Sequence, residues 1–263
     1  MRTIAVTGAA SGIGAATAAR LAHQGDRVIR VDLRAADVTC DLATPAGRQT
    51  AIDEVTRRCG GTLDGLVTCA GLGGATGRAA SLLVSVNYFG TADLLTGLQP
   101  ALAGGDEASA VAISSNSTTV QPGWSPELVA ACLSGDEQEA RRVADDGASM
   151  QAYPATKVAI ARWVRRHAPS PEWAGAGIRL NAVAPGLTAT PLADETRNDP
   201  VLGRMIEQFP IPVGRPGRPE EIAAFIAFPL GPDARFFCGS VVWVDGGSDA
   251  LLRPDDWPAL WAL

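Results

Sequence analysis

The chain has 263 residues, 46% of them hydrophobic and 19% charged, with a formal net charge of −6 at pH 7. That length and apolar content suffice for one large domain with an ample core. The acidic balance gives no electrostatic footprint for nucleic acid and no basic run of the kind that binds membrane surfaces, which leaves small molecules as the expected partners.

Residues 3–6 form a short β-branched run that passes into Gly8-Ala9-Ala10-Ser11-Gly12-Ile13-Gly14 and then into an alanine-rich amphipathic stretch ending near Gln24. The pattern reads as strand, glycine turn and helix. Glycines there let the backbone approach a pyrophosphate, whose charge suits a helix N-terminus, although a tight turn with no ligand has the same composition. Residues 27–31 read as a second strand ending in Asp32, near where a ribose-binding carboxylate is expected. Its acceptor oxygens suit an adenosine 2′-hydroxyl and repel a 2′-phosphate, so NAD(H) is favoured over NADP(H). Arg34, two residues on, is the nearby cation that would suit the phosphate.

Residues 38–42 read as a third strand ending in Asp41-Leu42, and 45–58 as a helix with Pro45 in its first turn. A buried-type strand over 63–69 runs into Ala70-Gly71-Leu72-Gly73-Gly74, which permits close approach of a ligand to the backbone. The helical pattern over 81–98 carries Asn87, a polar residue that needs a partner if buried. A strand at 110–113 ends in Ser114-Ser115-Asn116-Ser117, at the edge where open parallel sheets bind ligands. Over about 120–149 the composition changes to that of a small helical hairpin laid over the strand ends. One helix starts at Ser125-Pro126-Glu127 and stops at Ser134-Gly135, and the next spans 136–145 with Glu137 and Arg141 as an i,i+4 pair.

Tyr153 and Lys157 stand one helical turn apart, so a phenol and an ammonium share a face. The chain has two tyrosines, and every basic residue except Lys157 is arginine, which suggests chemistry a guanidinium cannot replace. A helix from Tyr153 to about His167 is expected, with Pro154 tolerable only in the first turn. A strand over 178–184 leads into Pro185-Gly186-Leu187-Thr188-Ala189-Thr190-Pro191, and the polar segment from about 190 to 218 is long enough for a substrate lid. A helix over 219–227 and a strand over 241–244 complete the alternation, before a tail whose Trp257 and Trp261 read as packing residues, with a substrate mouth or a subunit contact as the alternatives. The five cysteines lack any CxxC spacing and read as reduced thiols. His23 and His167, far apart, leave no metal site and no histidine triad to expect. With no signal-peptide hydrophobic region and no membrane-spanning apolar run, a cytoplasmic protein is expected.

These elements predict an α/β chain, a Rossmann-type doubly wound and mostly seven-stranded parallel sheet in one domain over 1–263, with the hairpin inserted before the Tyr-Lys helix. Thr7-Gly8-xxx-Gly12-Ile13-Gly14, Asp41-Leu42, Asn87, Ser115, Tyr153-xxx-Lys157, Asn181 and Pro185-Gly186, in that order, resemble the short-chain dehydrogenase/reductase family across nearly the whole chain. The resemblance implies a catalytic tetrad of Asn87, Ser115, Tyr153 and Lys157. It implies NAD contacts from Gly8, Ser11, Gly12, Ile13, Gly14, Asp32, Asp41, Leu42, Ala70, Gly71 and Lys157, with Thr188 and Thr190 near the nicotinamide, and a homo-oligomer, most simply a dimer. Residues 69–73, 85–90 and 245–250, with the long interval between Ser115 and Tyr153, resemble the bacterial 3-alpha-hydroxysteroid dehydrogenase/carbonyl reductase subgroup. That subgroup implies a hydroxy or keto substrate, steroids included. A ketoacyl thioester, sugar or polyol substrate is the alternative, and a non-catalytic NAD sensor the remaining one. Two departures stand out: Cys69 where the family pattern has Asn, and Asn116-Ser117-Thr118 without the glycine usual after the catalytic serine. In the chemistry implied, Lys157 lowers the Tyr153 pKa, Ser115 hydrogen-bonds the substrate oxygen and Asn87 orders a water that links Lys157 to solvent.

Overall fold

Most of the short apolar strands are separated by helices, which suits crossover connections over hairpins, and they assemble into one parallel sheet. The computed structural model describes residues 1–121, 123–147 and 149–256; Trp257 and Trp261 lie outside the described residues. The strands are β1 (Thr3–Thr7), β2 (Arg27–Asp32), β3 (Val38–Thr39), β4 (Gly65–Thr68), β5 (Ser109–Ile113), β6 (Arg179–Pro185) and β7 (Val241–Val244), in the order β3-β2-β1-β4-β5-β6-β7. All six pairings are parallel. From β1 the chain first winds outward to β2 and β3 and then returns to β4 on the other side, so a crevice opens beyond the carboxyl ends of β1 and β4.

The helices are α1 (Gly12–His23), α2 (Pro45–Cys59), α3 (Ala80–Leu83), α4 (Gly90–Ala103), α5 (Ser117–Val120), α6 (Pro126–Ser134), α7 (Glu137–Asp145), α8 (Ser149–His167), α9 (Pro191–Arg197), α10 (Leu202–Glu207), α11 (Pro219–Ala227) and α12 (Ser248–Leu252). A π-helical segment, Val84–Phe89, joins α3 to α4. α1 and α11 cover one face of the sheet, burying Leu21, Ile222 and Ile226 against Ile4, Val6, Val67 and Val111. α2, α4 and α8 cover the other, with Val55, Leu94, Leu98, Ile160 and Val164 against Ala5, Leu66, Ala110 and Leu180. Strands covered on both faces need no polar alternation, which is why β4 and β5 are buried at every position.

Several expectations need correction. The third strand stops at Thr39 instead of reaching Leu42, because Asp41 turns the chain: its carboxylate accepts from Ala43 N at 2.9 Å and its carbonyl from Thr44 N at 3.2 Å. The helical region around Asn87 extends over 80–103 and contains the π segment. α8 begins at Ser149, so Pro154 lies in the helix interior and not in its first turn. The hairpin exists as α6 and α7, capped by Ser125 and Asp136, but it packs mainly on α8, α3 and the π segment and not over the strand ends. Its buried Leu128, Val129, Cys132, Ala140 and Ala144 need an apolar surface, which the serine-rich strand ends do not offer. Glu137 turns inward to pair with the buried Arg48, while Arg141 Nη1 donates to Ser85 Oγ at 2.8 Å, so the expected i,i+4 pair is replaced by longer-range bonds. The 190–218 segment contains α9 and α10.

Candidate active site

The glycine turn follows β1 directly. Gly8 has φ +65°, and a Cβ there would lie 2.7 Å from Ala70 N, against backbone that cannot yield. A Cβ on Gly14 would lie 2.2 Å from Gly8 O, so the first turn of α1 is wound tightly onto the loop. Ser11 is the N-cap of α1 in extended conformation, with no side-chain capping bond of its own. Asp32, at the end of β2, accepts from Ala10 N at 2.9 Å and from Leu33 N at 2.7 Å, which ties the carboxylate to the glycine loop. Ala70 N donates to Thr7 Oγ1 at 3.0 Å, fastening the exit of β4 to that of β1.

Four of the expected site residues converge beside this turn. Lys157 is 5% exposed, and its Nζ donates to Ile113 O at 2.9 Å. Burial lowers its pKa to about 8, with the Cys69 thiol acting weakly in the other direction. Asn87, fully buried in the π segment, accepts from Leu72 N at 2.7 Å and donates to Leu72 O at 3.0 Å. The Leu72 N–H requires the amide oxygen on its side, which fixes the amide orientation. A Cβ on Gly71 would lie 3.3 Å from Asn87 Oδ1 and 3.5 Å from Lys157 Nζ, so only glycine leaves that corner open. The Tyr153 ring centroid is 6.0 Å from Lys157 Nζ. Burial of its hydroxyl pushes the Tyr153 pKa up, and the facing Ser115 hydroxyl pulls it part of the way back. The lowered Tyr153 pKa expected from the Tyr-Lys spacing is therefore not found: desolvation of the phenol dominates, and the opposing pull comes from Ser115. Ser115 is buried after β5, and its Oγ accepts from Ser117 N at 3.1 Å.

The remaining expected residues fall into two groups. Thr188 and Thr190 follow β6. The Thr188 hydroxyl donates to Gly186 O, and Thr190 caps α9 by accepting from Ala193 N. Thr190 Cγ2 lies 3.3 Å from where a Cβ on Gly12 would stand, so this loop faces the glycine turn across the crevice. Asp41 and Leu42 lie further out, beyond β3. Asp41 is exposed, while Leu42 is buried against Gly90 and its carbonyl accepts from Arg48 Nη1 at 3.2 Å. Sequence reading missed two contributors. The Leu72 backbone holds Asn87, and Thr156 receives the Asn87 amide at 3.4 Å while donating to Tyr153 O at 2.7 Å. Thr156 sits inside the Tyr-Lys motif, which was the available signal; Leu72 had none.

The loop that leaves β4 is fastened to the 190–207 segment. Thr76 N and Oγ1 donate to Asp199 at 2.6 and 2.9 Å, and Arg78 pairs with Glu195 of α9. Among the described residues no group of three or more His, Cys, Asp or Glu could hold a metal ion, and no helix is long and apolar enough to cross a membrane.

One family model, described as short chain dehydrogenase, matches residues 2–126, and another, described as enoyl-(acyl carrier protein) reductase, matches residues 139–249. The chain is 40% identical to the 3-alpha-hydroxysteroid dehydrogenase/carbonyl reductase of Comamonas testosteroni, over 97% of this chain and 99% of that relative. The chain belongs to the short-chain dehydrogenase/reductase family. Within the family it also resembles the 3-alpha-hydroxysteroid dehydrogenase from Pseudomonas sp. B-0831, solved in complex with NADH, with a TM-score of 0.93 and 47% identity, covering 97% of this chain and 100% of that one. A further family relative, the cis-4-hydroxycyclohexanecarboxylate dehydrogenase of Sinomonas cyclohexanicum, is 32% identical over 95% of this chain and 97% of its own. The family's dinucleotide fits the crevice on this chain's own geometry. The turn at Gly8 and Gly14 has no room for side chains, Asp32 stands at the β2 end of the crevice, and the Gly71 corner opens onto Lys157.

Proposed function

We propose that the chain is an NAD(H)-dependent oxidoreductase that interconverts a secondary alcohol and a ketone, with a 3-alpha-hydroxysteroid or a related carbonyl compound as substrate. The observation that carries this reading is the convergence of Tyr153, Ser115, Asn87 and Lys157 on one corner beside the glycine turn. Support for the substrate class comes from two relatives whose names specify 3-alpha-hydroxysteroid dehydrogenase and from a third whose name specifies an alicyclic hydroxy acid.

When bound, NAD(H) supplies or accepts the hydride. The residues proposed to hold it are Gly8, Ser11, Gly12, Ile13, Gly14, Asp32, Asp41, Leu42, Ala70, Gly71, Lys157, Thr188 and Thr190. Tyr153 is the proton carrier. Its raised pKa keeps the phenol protonated at neutral pH, ready to donate to a carbonyl oxygen that becomes a hydroxyl. Ser115 faces the same space and hydrogen-bonds the substrate oxygen. Lys157 supplies a positive charge that stabilises the phenolate left after donation, and it hydrogen-bonds ribose hydroxyls. Asn87, held by Leu72, keeps an acceptor near the ammonium through which a water restores the proton.

A panel of androsterone, simple ketones and a ketoacyl thioester, followed by NADH absorbance, tests the substrate class. Turnover of androsterone or of simple ketones is expected, and turnover of the thioester alone would refute it. The chain is further proposed to act in the cytoplasm as one oxidoreductase unit over 1–263, in keeping with five free cysteines. It is also proposed to form a homodimer. Because α6 and α7 pack against α8, association uses another face, and light scattering that finds a monomer would rule the dimer out.

A further inference from the structure

Pro154 creates a defect next to the proposed proton carrier. It is the sixth residue of α8. A residue there would normally donate its N–H to the carbonyl of Met150, and proline has none; its ring also pushes that carbonyl outward. Even a partly buried carbonyl without a donor is costly, so another group is expected to supply one.

The donor comes from a different part of the fold. Gln121 Nε2 donates to Met150 O at 2.9 Å. Gln121 is the C-cap of α5, the short helix that follows Ser115. That helix is tied to Ser115 by two further bonds, from Ser117 N to Ser115 Oγ at 3.1 Å and from Thr118 Oγ1 to Ser115 O at 2.8 Å. One residue before Met150, Ser149 Oγ donates to Ala75 O at 2.9 Å, in the loop that leaves β4 and carries Gly71. The first turns of α8, which present Tyr153, are thus held by the segments that carry the rest of the site.

We propose that Gln121 is a positioning residue for Tyr153: its side-chain amide replaces the N–H that Pro154 removes and so fixes the spacing between the phenol and the Ser115 hydroxyl. The inference rests on the roles given above to Tyr153 and Ser115. Gln121 needs no contact with substrate or cofactor. Its function is to transmit the position of α5 to the proline-interrupted turn of α8. The bond is polar, short and directional, so its loss lets the Tyr153 turn move relative to Ser115 while the glycine turn and the Lys157 site stay in place.

Four proteins test this: wild type, Gln121→Met, Pro154→Ala and the double variant, each assayed for ketone reduction and for NADH binding by fluorescence. Gln121→Met keeps the side-chain length and removes the donor. It is expected to lower kcat about tenfold, since small misplacement of reacting groups costs that much or more, while the NADH Kd stays within about twofold. Pro154→Ala restores a backbone N–H for Met150 O, so in that background the same substitution is expected to cost less than about twofold, the non-additivity expected of coupled groups. The pH profile of alcohol oxidation gives an independent readout. The apparent pKa of the proton carrier rises in Gln121→Met, as the Ser115 hydroxyl loses alignment, and returns in the double variant. An equal loss in both backgrounds, or none in Gln121→Met, would overturn the proposal. Should Gln121→Met fail to fold, the isosteric Gln121→Glu, which also lacks the donor, takes its place with the same loss expected and the same contrary results. Failure of the functional reading looks different, because wild type itself would then turn over no hydroxy or keto substrate.

Discussion

Gly8→Ala tests whether the turn between β1 and α1 is shaped for close approach of backbone to a ligand. The substitution has two separable costs. A non-glycine residue at φ +65° pays about 1 kcal/mol for the left-handed conformation. In addition, the new Cβ would stand 2.7, 2.8 and 2.9 Å from Ala70 N, Ala70 Cα and Cys69 C, all backbone atoms at the exit of β4. Relief requires β1 and β4 to part beyond Thr7 and Thr68, which overpacking costs put at roughly 1–3 kcal/mol more. Gly60 provides the control. It has φ +67° at the end of α2 and nothing within 4 Å of its added Cβ, so Gly60→Ala pays the conformational cost alone. Thermal unfolding is expected to show a Tm loss of about 2–4 °C for Gly60→Ala and of about 5–15 °C for Gly8→Ala. NADH affinity, titrated by fluorescence, is expected to fall at least about tenfold in Gly8→Ala, because the Ala70-Gly71 corner moves, and to stay unchanged in Gly60→Ala. Equal Tm losses with unaltered NADH binding would refute the argument that this turn is the cofactor cradle.

Other expectations follow from single residues. Arg48, 2% exposed, joins α2 to Asp93 of α4 and Glu137 of the hairpin, so Arg48→Met takes the partner from two partly exposed carboxylates and is expected to cost about 2 kcal/mol at neutral pH by urea unfolding. Burial already raises the Asp93 pKa against the pull of Arg48. Removing Arg48 raises it further, so the folded variant takes up protons more readily than the unfolded one, and its deficit should shrink as the pH falls; a deficit constant with pH would contradict this. Lys157 has a folded pKa of about 8 against an ordinary 10.5. The unfolded chain therefore holds the extra proton between these values, and wild-type stability should rise with pH across that window relative to Lys157→Met. Parallel stability curves for the two proteins would argue against a buried ammonium. Asp199 accepts from Thr76, Val201 and Leu202, and these bonds hold its pKa well below the usual carboxylate range. Asp199→Ala should release the loop that leaves β4, raise KM and speed proteolysis within 190–207, whereas unchanged cleavage would exclude a fastening role.

Much of the fold was legible because its signals are local. The β-branched run before Gly8, the missing side chains at Gly8 and Gly14, and the spacing of Tyr153 and Lys157 each express a constraint within a few residues. The alternation of strands and helices then led to the seven-stranded parallel sheet. What stayed illegible depends on partners distant in sequence. Pro154 read as a first-turn residue, since the amide that makes an interior proline tolerable belongs to Gln121, and nothing around Gln121 announces that task. Glu137 read as an i,i+4 partner of Arg141, but the buried guanidinium of Arg48 has the stronger claim on its carboxylate. The Tyr153 pKa was expected to fall because the ammonium was counted and desolvation was not. Asp41 ended a strand early by bonding its own turn, a competition that composition does not reveal.

The central claim is that Tyr153 carries the proton for alcohol and ketone interconversion within a site assembled by Ser115, Asn87 and Lys157. The most direct measurement compares wild type with Tyr153→Phe, recording steady-state turnover of androsterone with NAD alongside NADH binding by fluorescence. The hydroxyl is the sole group removed, and the ring and its packing remain. Loss of turnover by a factor of about a hundred or more, within the range that general acid-base groups contribute, with NADH Kd unchanged is the expected result. Undiminished turnover in Tyr153→Phe would contradict the account.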